Sequence, residues 1–233
     1  MTKSTAGNYV PQFPLSQEAT IGILRTLGYG LLLLALFDWV EILVPPQFMN
    51  PNWEFQTIGA LVERVPVPLI GFALIFYGES QARSRWEVPI IKLLSWLTLL
   101  LAVVYFLMIP LAVIDAGRIS QQRTEQIKSA STQQIARAQQ LQEQLSQATP
   151  QQIDNFLKQQ GAAAEGKNAE QVKEELTSRL SQAKVKIKNQ AKTTQSTQEF
   201  NLTKSLVKWS LGALVAGSLF FSIWKGTRWT SHI

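Results

Sequence analysis

The sequence predicts an all-α membrane protein. We expect four transmembrane helices, an interfacial helix before the second of them, and a long extramembrane helical hairpin between the third and the fourth. The first observation behind this prediction is a set of apolar runs, since a bilayer core of about 30 Å needs roughly 20 apolar helical residues. The second is a Gln-, Lys- and Thr-rich middle segment that repeats apolar residues at helical spacing but cannot build a core of its own.

Three apolar runs are long enough to cross a bilayer as single helices, at 21–44, 89–114 and 206–224. A fourth run, 65–78, forms a helix of only about 20 Å at 1.5 Å per residue. It can cross the bilayer core only if neighbouring residues extend this helix. The predicted division of the chain is an N-terminal tail (1–20), a three-helix membrane region (21–116) with the interfacial helix at 53–64, the hairpin (117–204), the fourth transmembrane helix (205–225) and a C-terminal tail (226–233).

The stretch VERVPVPLIG, 62–71, stands directly before the short run and puts two charges and two prolines at its start. The preferred interpretation is an elbow, where a helix on the membrane surface turns into one that crosses the membrane. Asn52 is the expected N-cap of the surface helix. Trp53, Phe55 and Leu61 of this amphipathic helix would meet the membrane interface.

The prolines define the turn of this elbow. Val65 and Val67 each precede a proline, which disfavours helical angles, so both are expected to be extended. The candidate elbow residues are Glu63 and Arg64 at headgroup depth, and Pro66 and Pro68, either of which would begin the next helix. The competing interpretation is a single kinked helix over 57–78 that carries both charges inside the bilayer.

Four crossings place both termini on the same side of the membrane. Lys and Arg are enriched in short cytoplasmic loops. The loop after the second crossing holds Arg83 and Arg85, whereas the loop after the first holds only Arg64. Both termini are therefore expected to be cytoplasmic. No cleavage site follows the first run, which would remain as an uncleaved anchor.

Two apolar stripes in the middle segment predict the arms of an antiparallel hairpin. The stripes comprise Ile119, Ile127, Ile135, Ala138, Leu141 and Leu145, and then Val172, Leu176, Leu180, Ala183, Ile187 and Ala191. Between them, Thr149, Pro150 and Gln152 have the spacing of a capped helix start. The candidate interaction residues at the hairpin tip are Ile153, Phe156 and Leu157. The stripes either only hold the two arms together, or the hairpin also presents its tip to a partner or to a second copy of the chain.

Small residues in the last run mark where helices can approach closely. The candidate helix-packing residues are Gly212 with Ala216 and Ala213 with Gly217, and Gly22, Thr26 and Gly30 form a similar ladder in the first run. Packing within the bundle explains both sets, with homo-oligomerisation as the alternative.

The composition excludes several classes of function. The chain has no cysteine, and its one histidine, His232, lies next to the end. Disulfides and thiolate sites are therefore excluded, and neither a histidine triad nor a zinc site is expected. No phosphate-binding or dinucleotide motif occurs. We expect no enzymatic activity, no catalytic residues, no metal and no cofactor.

The net charge of +6, from 22 Lys and Arg against 16 Asp and Glu, also bears on partners. Because no nucleic-acid-binding module accompanies this charge, we expect contact with anionic membrane lipids and no nucleic acid. Lys184, Lys186 and Lys188 alternate near the return to the membrane. They are typical of a solvated face, with contact to anionic lipid or polymer as the alternative.

The combination of VERVPVPLIGFALIFYGES, the Arg-rich turn after it and TPQQIDNFLKQQG resembles the cyanobacterial HpsJ-like family. The similarity runs through most of the chain, with 63–79 and 149–161 its most specific parts. The resemblance implies a multi-pass protein of a cyanobacterial plasma or thylakoid membrane, linked by the family name to hormogonium polysaccharide production and gliding motility. Because family members have no assigned reaction, it implies no active-site residues.

Two classes of function fit these features. The first is a non-enzymatic membrane scaffold or accessory subunit, whose hairpin docks onto a membrane protein complex for polysaccharide production or export, or onto a thylakoid complex. The second is a small transport or channel component that uses charged residues near the membrane interface, namely Asp38, Glu41, Glu63 and Arg64.

Overall fold

The computed structural model describes residues 17–77, 87–149, 151–152 and 169–228. Within these ranges there is no strand, which confirms the all-α prediction for the described part of the chain. The helices with both ends in these ranges are α1 (Gln17–Leu43), α2 (Pro51–Glu63), α3 (Pro66–Phe76), α4 (Glu87–Gln147) and α5 (Ala169–Gly226).

Three of these helices are long and apolar enough to cross a membrane. They are α1 over Ala19–Leu43, α4, and α5 over Glu170–Gly226. Helices α2 and α3 meet the same criterion only together, and their axes differ by 42°. The lengths fit a multi-pass membrane protein.

The chain divides into two compact units, and α4 and α5 each contribute to both. The first unit consists of 1–115 together with 206–233, and the second of 116–205. The second unit begins and ends within one residue of the hairpin expected at 117–204.

In the first unit, α1 packs closely against α3 because glycines allow the two backbones to approach. A Cβ atom at Gly28 would lie 2.8 Å from Ile75 Cγ1, and one at Gly71 would lie 2.9 Å from Leu32 Cδ2. Lower numbers in α1 thus meet higher numbers in α3. The two helices are therefore antiparallel.

The α2–α3 pair follows the last part of α5 in the same direction. The Phe55 and Trp209 ring centroids are 4.7 Å apart, and those of Phe72 and Phe220 are 5.9 Å apart. Both Phe55 and Leu61 are buried. The expectation that these two side chains meet the membrane interface is therefore wrong, because neighbouring helices cover them.

Helix α4 runs antiparallel to α5 in the first unit. The hydroxyls of Ser95 and Thr227 are 2.8 Å apart, and the stacked rings of Tyr105 and Phe220 have centroids 5.6 Å apart. Tyr105 also donates a hydrogen bond to the carbonyl oxygen of Leu61 at 3.1 Å. The core of this unit thus contains a cluster of three aromatic side chains, Phe72 of α3, Tyr105 of α4 and Phe220 of α5.

The second unit is an antiparallel pair of helical arms. Gln195 Nε2 lies 3.5 Å from Thr124 Oγ1, and Lys173 Nζ donates to the carbonyl oxygen of Ser146 at 2.7 Å. Most residues of the two predicted stripes are buried or half-buried between the arms.

Leu141 departs from the predicted stripe, since its side chain is 51% exposed. The buried and half-buried positions of this arm advance by alternating steps of four and three residues, through Ile135, Ala138, Gln142 and Leu145. This heptad spacing places Gln142 in the seam, where its Oε1 accepts a hydrogen bond from Lys184 Nζ at 2.5 Å. The apolar character of Leu141 did not decide its position.

Candidate functional site

The break between α2 and α3 brings together the charged side chains of three helices. Arg64 Nη1 lies 3.0 Å from Asp38 Oδ1 and 3.3 Å from Glu41 Oε2, both on α1. Asp38 and Glu41 are one helical turn apart, so their carboxylates project on the same side of α1. One guanidinium group therefore ties the break to the end of α1.

Glu63, the neighbour of Arg64, is held from the opposite direction by α5. Its Oε1 accepts hydrogen bonds from Lys208 Nζ at 2.6 Å and from Trp209 Nε1 at 3.1 Å. The Trp209 ring lies directly over Gly59, where an added Cβ would come within 2.4 Å of it. Glycine at this position therefore permits the approach of the indole.

The backbone at the break is a tight turn. Val65 has helical angles, φ −59° and ψ −28°, and Val67 lies inside α3. The prediction that both valines are extended is therefore wrong. The amide of Val65 bonds to the carbonyl of Val62 and that of Val67 to Arg64, both at 3.4 Å. These short-range bonds carry the chain through the turn despite the steric preference of residues before proline.

The ends of the two helices agree in part with the sequence analysis. Helix α2 ends at Glu63 and α3 begins at Pro66, at the first helical position where proline is favoured. The N-cap of α2 is Asn50, whose Oδ1 accepts from the Asn52 amide at 3.1 Å. The assignment of the cap to Asn52 is wrong because Pro51 occupies the first helical position and moves the cap one residue before itself.

Glu63 and Arg64 are adjacent and opposite in charge, and each is paired with a different helix. Glu63 is paired with α5 and Arg64 with α1. The five side chains are between 40% and 73% exposed. In water such pairs contribute about 0.2–1 kcal/mol each, and the interaction strengthens as the local dielectric constant falls. The arrangement can fix the angle between α2 and α3. Within residues 17–77, 87–149, 151–152 and 169–228, no group of three or more His, Cys, Asp or Glu side chains could hold a metal ion.

The small residues of α5 lie where this helix meets α2 and α4. A Cβ atom at Gly212 would lie 2.4 Å from Val62 Cγ1, and one at Gly217 would lie 3.1 Å from the Phe106 ring. Ala213 and Ala216 are buried, at 0% and 1% exposure. All four candidate packing residues of α5 thus stand in the contact surface of the first unit.

The ladder on α1 behaves differently. No atom of the described residues lies within 4 Å of a Cβ added at Gly22 or Gly30, and Thr26 is exposed. Packing among the described residues therefore does not explain this ladder, because α1 buries a different side that includes Gly28 and Ala35. The alternative, association of two copies, stays a prediction.

Neither partner of Glu63 is predicted from the sequence. Lys208 and Trp209 lie in the first turns of the last apolar run, and a lysine in such a run requires a counter-charge. That requirement was a usable signal for Lys208. No local pattern identifies its partner, because 145 residues separate Lys208 from Glu63.

The hairpin tip is only partly within the described residues. Gln152 Oε1 accepts a hydrogen bond from the Thr149 amide at 3.0 Å, which is one half of the expected capping box. Ile153, Phe156 and Leu157 lie outside the described residues, as do Arg83 and Arg85.

Comparison with protein families identifies the family of this chain. The model of the family described as HpsJ-like protein matches residues 19–228. No curated protein and no solved structure matches the chain. The matched range begins at the third residue of α1 and extends through α5, so it includes the α2–α3 break and both arms of the hairpin. The resemblance seen in the sequence is thus confirmed, and the chain belongs to the HpsJ-like family.

Proposed function

We propose that the chain is a non-enzymatic multi-pass membrane scaffold or accessory subunit that uses its hairpin to contact a partner protein complex. The observation that carries this proposal is the separate compact unit formed by 116–205. Helices α4 and α5 extend well beyond their apolar spans to build it, at 61 and 58 residues. A bundle that needed only a connection between two crossings would require far fewer residues.

The ion pairs at the break between α2 and α3 support a structural role for the first unit. Glu63 and Arg64 each have partners on a neighbouring helix, so their charges are already compensated. This favours the scaffold over the transport component, whose charged residues would have to engage a moving ion. The process that the scaffold serves would be polysaccharide production or export with motility, or a thylakoid complex, in a cyanobacterial membrane. The family name supports the first of these.

We further propose that the protein crosses the membrane four times, with α2 and α3 forming one broken span. The supporting observation is that the pair runs alongside α5 from Phe55 to Phe72. This geometry favours the kinked helix over the elbow with an interfacial helix. Both termini would then lie on one side of the membrane, the cytoplasmic side, and the hairpin on the other.

Single cysteines test this topology, since the natural chain has none. We expect Gln47→Cys and Gln139→Cys to react with a membrane-impermeant maleimide from one side of sealed vesicles, and Lys225→Cys from the other. If α2 and α3 do not cross, Gln47→Cys and Lys225→Cys would instead react from the same side and Gln139→Cys from the opposite one. That pattern would contradict the four-span arrangement.

Affinity capture tests the scaffold function. We expect tagged wild-type protein in mild detergent to retain a defined set of proteins in stoichiometric amounts, and a variant lacking 117–200 to lose them. All seven tryptophans lie outside the hairpin, so their fluorescence reports whether the first unit of the variant is still folded. If a folded deletion variant recovered the same proteins in equal amounts, the hairpin would not be the docking element. That result would favour the transport alternative.

A further inference from the structure

The middle of the hairpin is basic on both arms. The stretches 126–142 of α4 and 176–198 of α5 contain no Asp or Glu. They contain seven basic residues, namely Lys128, Arg137, Arg179, Lys184, Lys186, Lys188 and Lys192.

The two stretches lie side by side. Ile127 and Gln134 of α4 line one cleft together with Ile187 and Ala191 of α5. The basic residues therefore share one section of the hairpin. Of the seven, Arg179 has a carboxylate partner within its own helix, Glu175, at 2.7 Å.

Three of the lysines form a regular series, which we call the lysine row: Lys184, Lys188 and Lys192. Residues four apart lie on the same side of a helix, about 6 Å apart along its axis. Lys188 and Lys192 are exposed and can meet a partner, whereas Lys184 at the start of the row is half-buried and its Nζ donates to Gln142 Oε1 in the seam. Val185 lies one helical turn before Lys188. Its side chain is 59% exposed and provides an apolar contact beside the row.

We propose that the lysine row docks an acidic helix of a partner protein. Acidic side chains at intervals of four residues on such a helix repeat about every 6 Å, which matches the spacing of the row. Val185 gives the same helix an apolar contact, as at the edge of a coiled coil. The inference rests on the proposed scaffold function and names the chemistry of the partner.

Other occupants fit the row less well. A second copy in the same membrane and the same register would set lysine against lysine, which is repulsive. Neither 126–142 nor 176–198 contains an aromatic residue, and exposed Phe200 lies about two turns beyond Lys192, so bases and sugar rings have no surface beside the row on which to stack. A lipid surface would require an apolar face, and the apolar stripe of this arm is used in the seam between the arms.

Peptide binding to the full-length protein in neutral phosphatidylcholine nanodiscs tests this proposal. The probe is a 22-residue helical Ala-based peptide with Glu at every fourth position. The reference probes are a peptide of the same composition with its Glu residues distributed around the helix, hyaluronan, and phosphatidylglycerol vesicles. The test variant is Lys188→Glu/Lys192→Glu. The control variant, Arg137→Glu/Lys186→Glu, has the same net charge but keeps the lysine row.

We expect the striped peptide to bind the wild type, to lose about tenfold in affinity with the test variant, and to change by less than about twofold with the control variant. A peptide with Lys in place of each Glu should bind the test variant better than the wild type. This reversal also shows that the test variant is folded.

Three outcomes would overturn the proposal. Equal binding of the striped and distributed peptides would show attraction to charge without helical matching. Hyaluronan or vesicle binding that is lost only in the test variant, with no binding of the striped peptide, would assign the row to a polymer or a membrane. Equal losses of affinity for the striped peptide in the test and control variants would show that binding depends on net charge and not on the lysine row. None of these results would affect the scaffold function, which depends on whether deletion of the hairpin abolishes partner capture.

Discussion

Replacement of Phe220 by alanine is expected to destabilise the first unit by about 2 kcal/mol or more. Phe220 is fully buried, and its ring contacts Phe72 of α3 and Tyr105 of α4. In a membrane, where apolar transfer contributes little between helices, packing contacts hold helices together. A cavity at this point removes such contacts from three helices at once. Thermal unfolding in detergent, followed by tryptophan fluorescence, measures the effect.

The adjacent residue provides the matched control. Phe221 is 46% exposed and has a ring contact with Trp224 at a centroid distance of 5.6 Å. Phe221→Ala should therefore cost at most about 1 kcal/mol, the typical contribution of an aromatic pair. Equal destabilisation by the two changes would contradict the packing of Phe220 between α3 and α4, since both remove the same side chain from the same helix.

Replacement of Gly59 by alanine is expected to cost about 2 kcal/mol by overpacking. The new methyl group would lie 2.4 Å from two atoms of the Trp209 ring. That ring cannot simply rotate away, because it packs against Phe55 and its Nε1 bonds to Glu63. Displacement of the indole would therefore also remove the hydrogen bond from Trp209 to Glu63 at the break between α2 and α3. Thermal unfolding and the change in Trp209 emission measure this result.

Two comparisons separate the steric effect from the effect of alanine itself. Gly30→Ala places the same methyl group on α1 where no atom of the described part of the chain lies within 4 Å, and alanine should stabilise this helix by about 0.5–1 kcal/mol. In a Trp209→Ala background, Gly59→Ala should lose most of its cost because the clashing ring is gone. A cost that persists without the tryptophan would show that the contact is not its origin.

Much of the secondary structure could be predicted from local sequence. The apolar runs that predict spans at 89–114 and 206–224 lie within α4 and α5, and the proline at position 66 begins α3 as expected. Helix lengths and turns of this kind depend on periodicity and on the missing amide of proline, which are local properties. The capping interaction between Thr149 and Gln152 is likewise contained in four consecutive residues.

The errors arose where local preference competed with packing. Val65 adopts helical angles although it precedes a proline, because short-range hydrogen bonds and the contacts on either side of the break hold the turn. Leu141 is exposed while Gln142 lies in the seam, because the spacing of its neighbours along α4 sets which side meets the other arm. Hydrophobicity alone did not identify the buried side chain.

Local sequence is sufficient to predict the helices of the described residues, apolar runs long enough for a bilayer, and a polar helical segment between the last two of these runs. It also determined the charges and prolines between α2 and α3. In contrast, the pairing of Glu63 with Lys208 and Trp209, and of Arg64 with Asp38 and Glu41, depends on how the helices pack. The physical reason is that helix formation depends on neighbours within a few residues, whereas these pairings depend on which helices pack together. That packing is set by small residues at particular depths, such as Gly59 and Gly212, whose partners lie far away in the sequence.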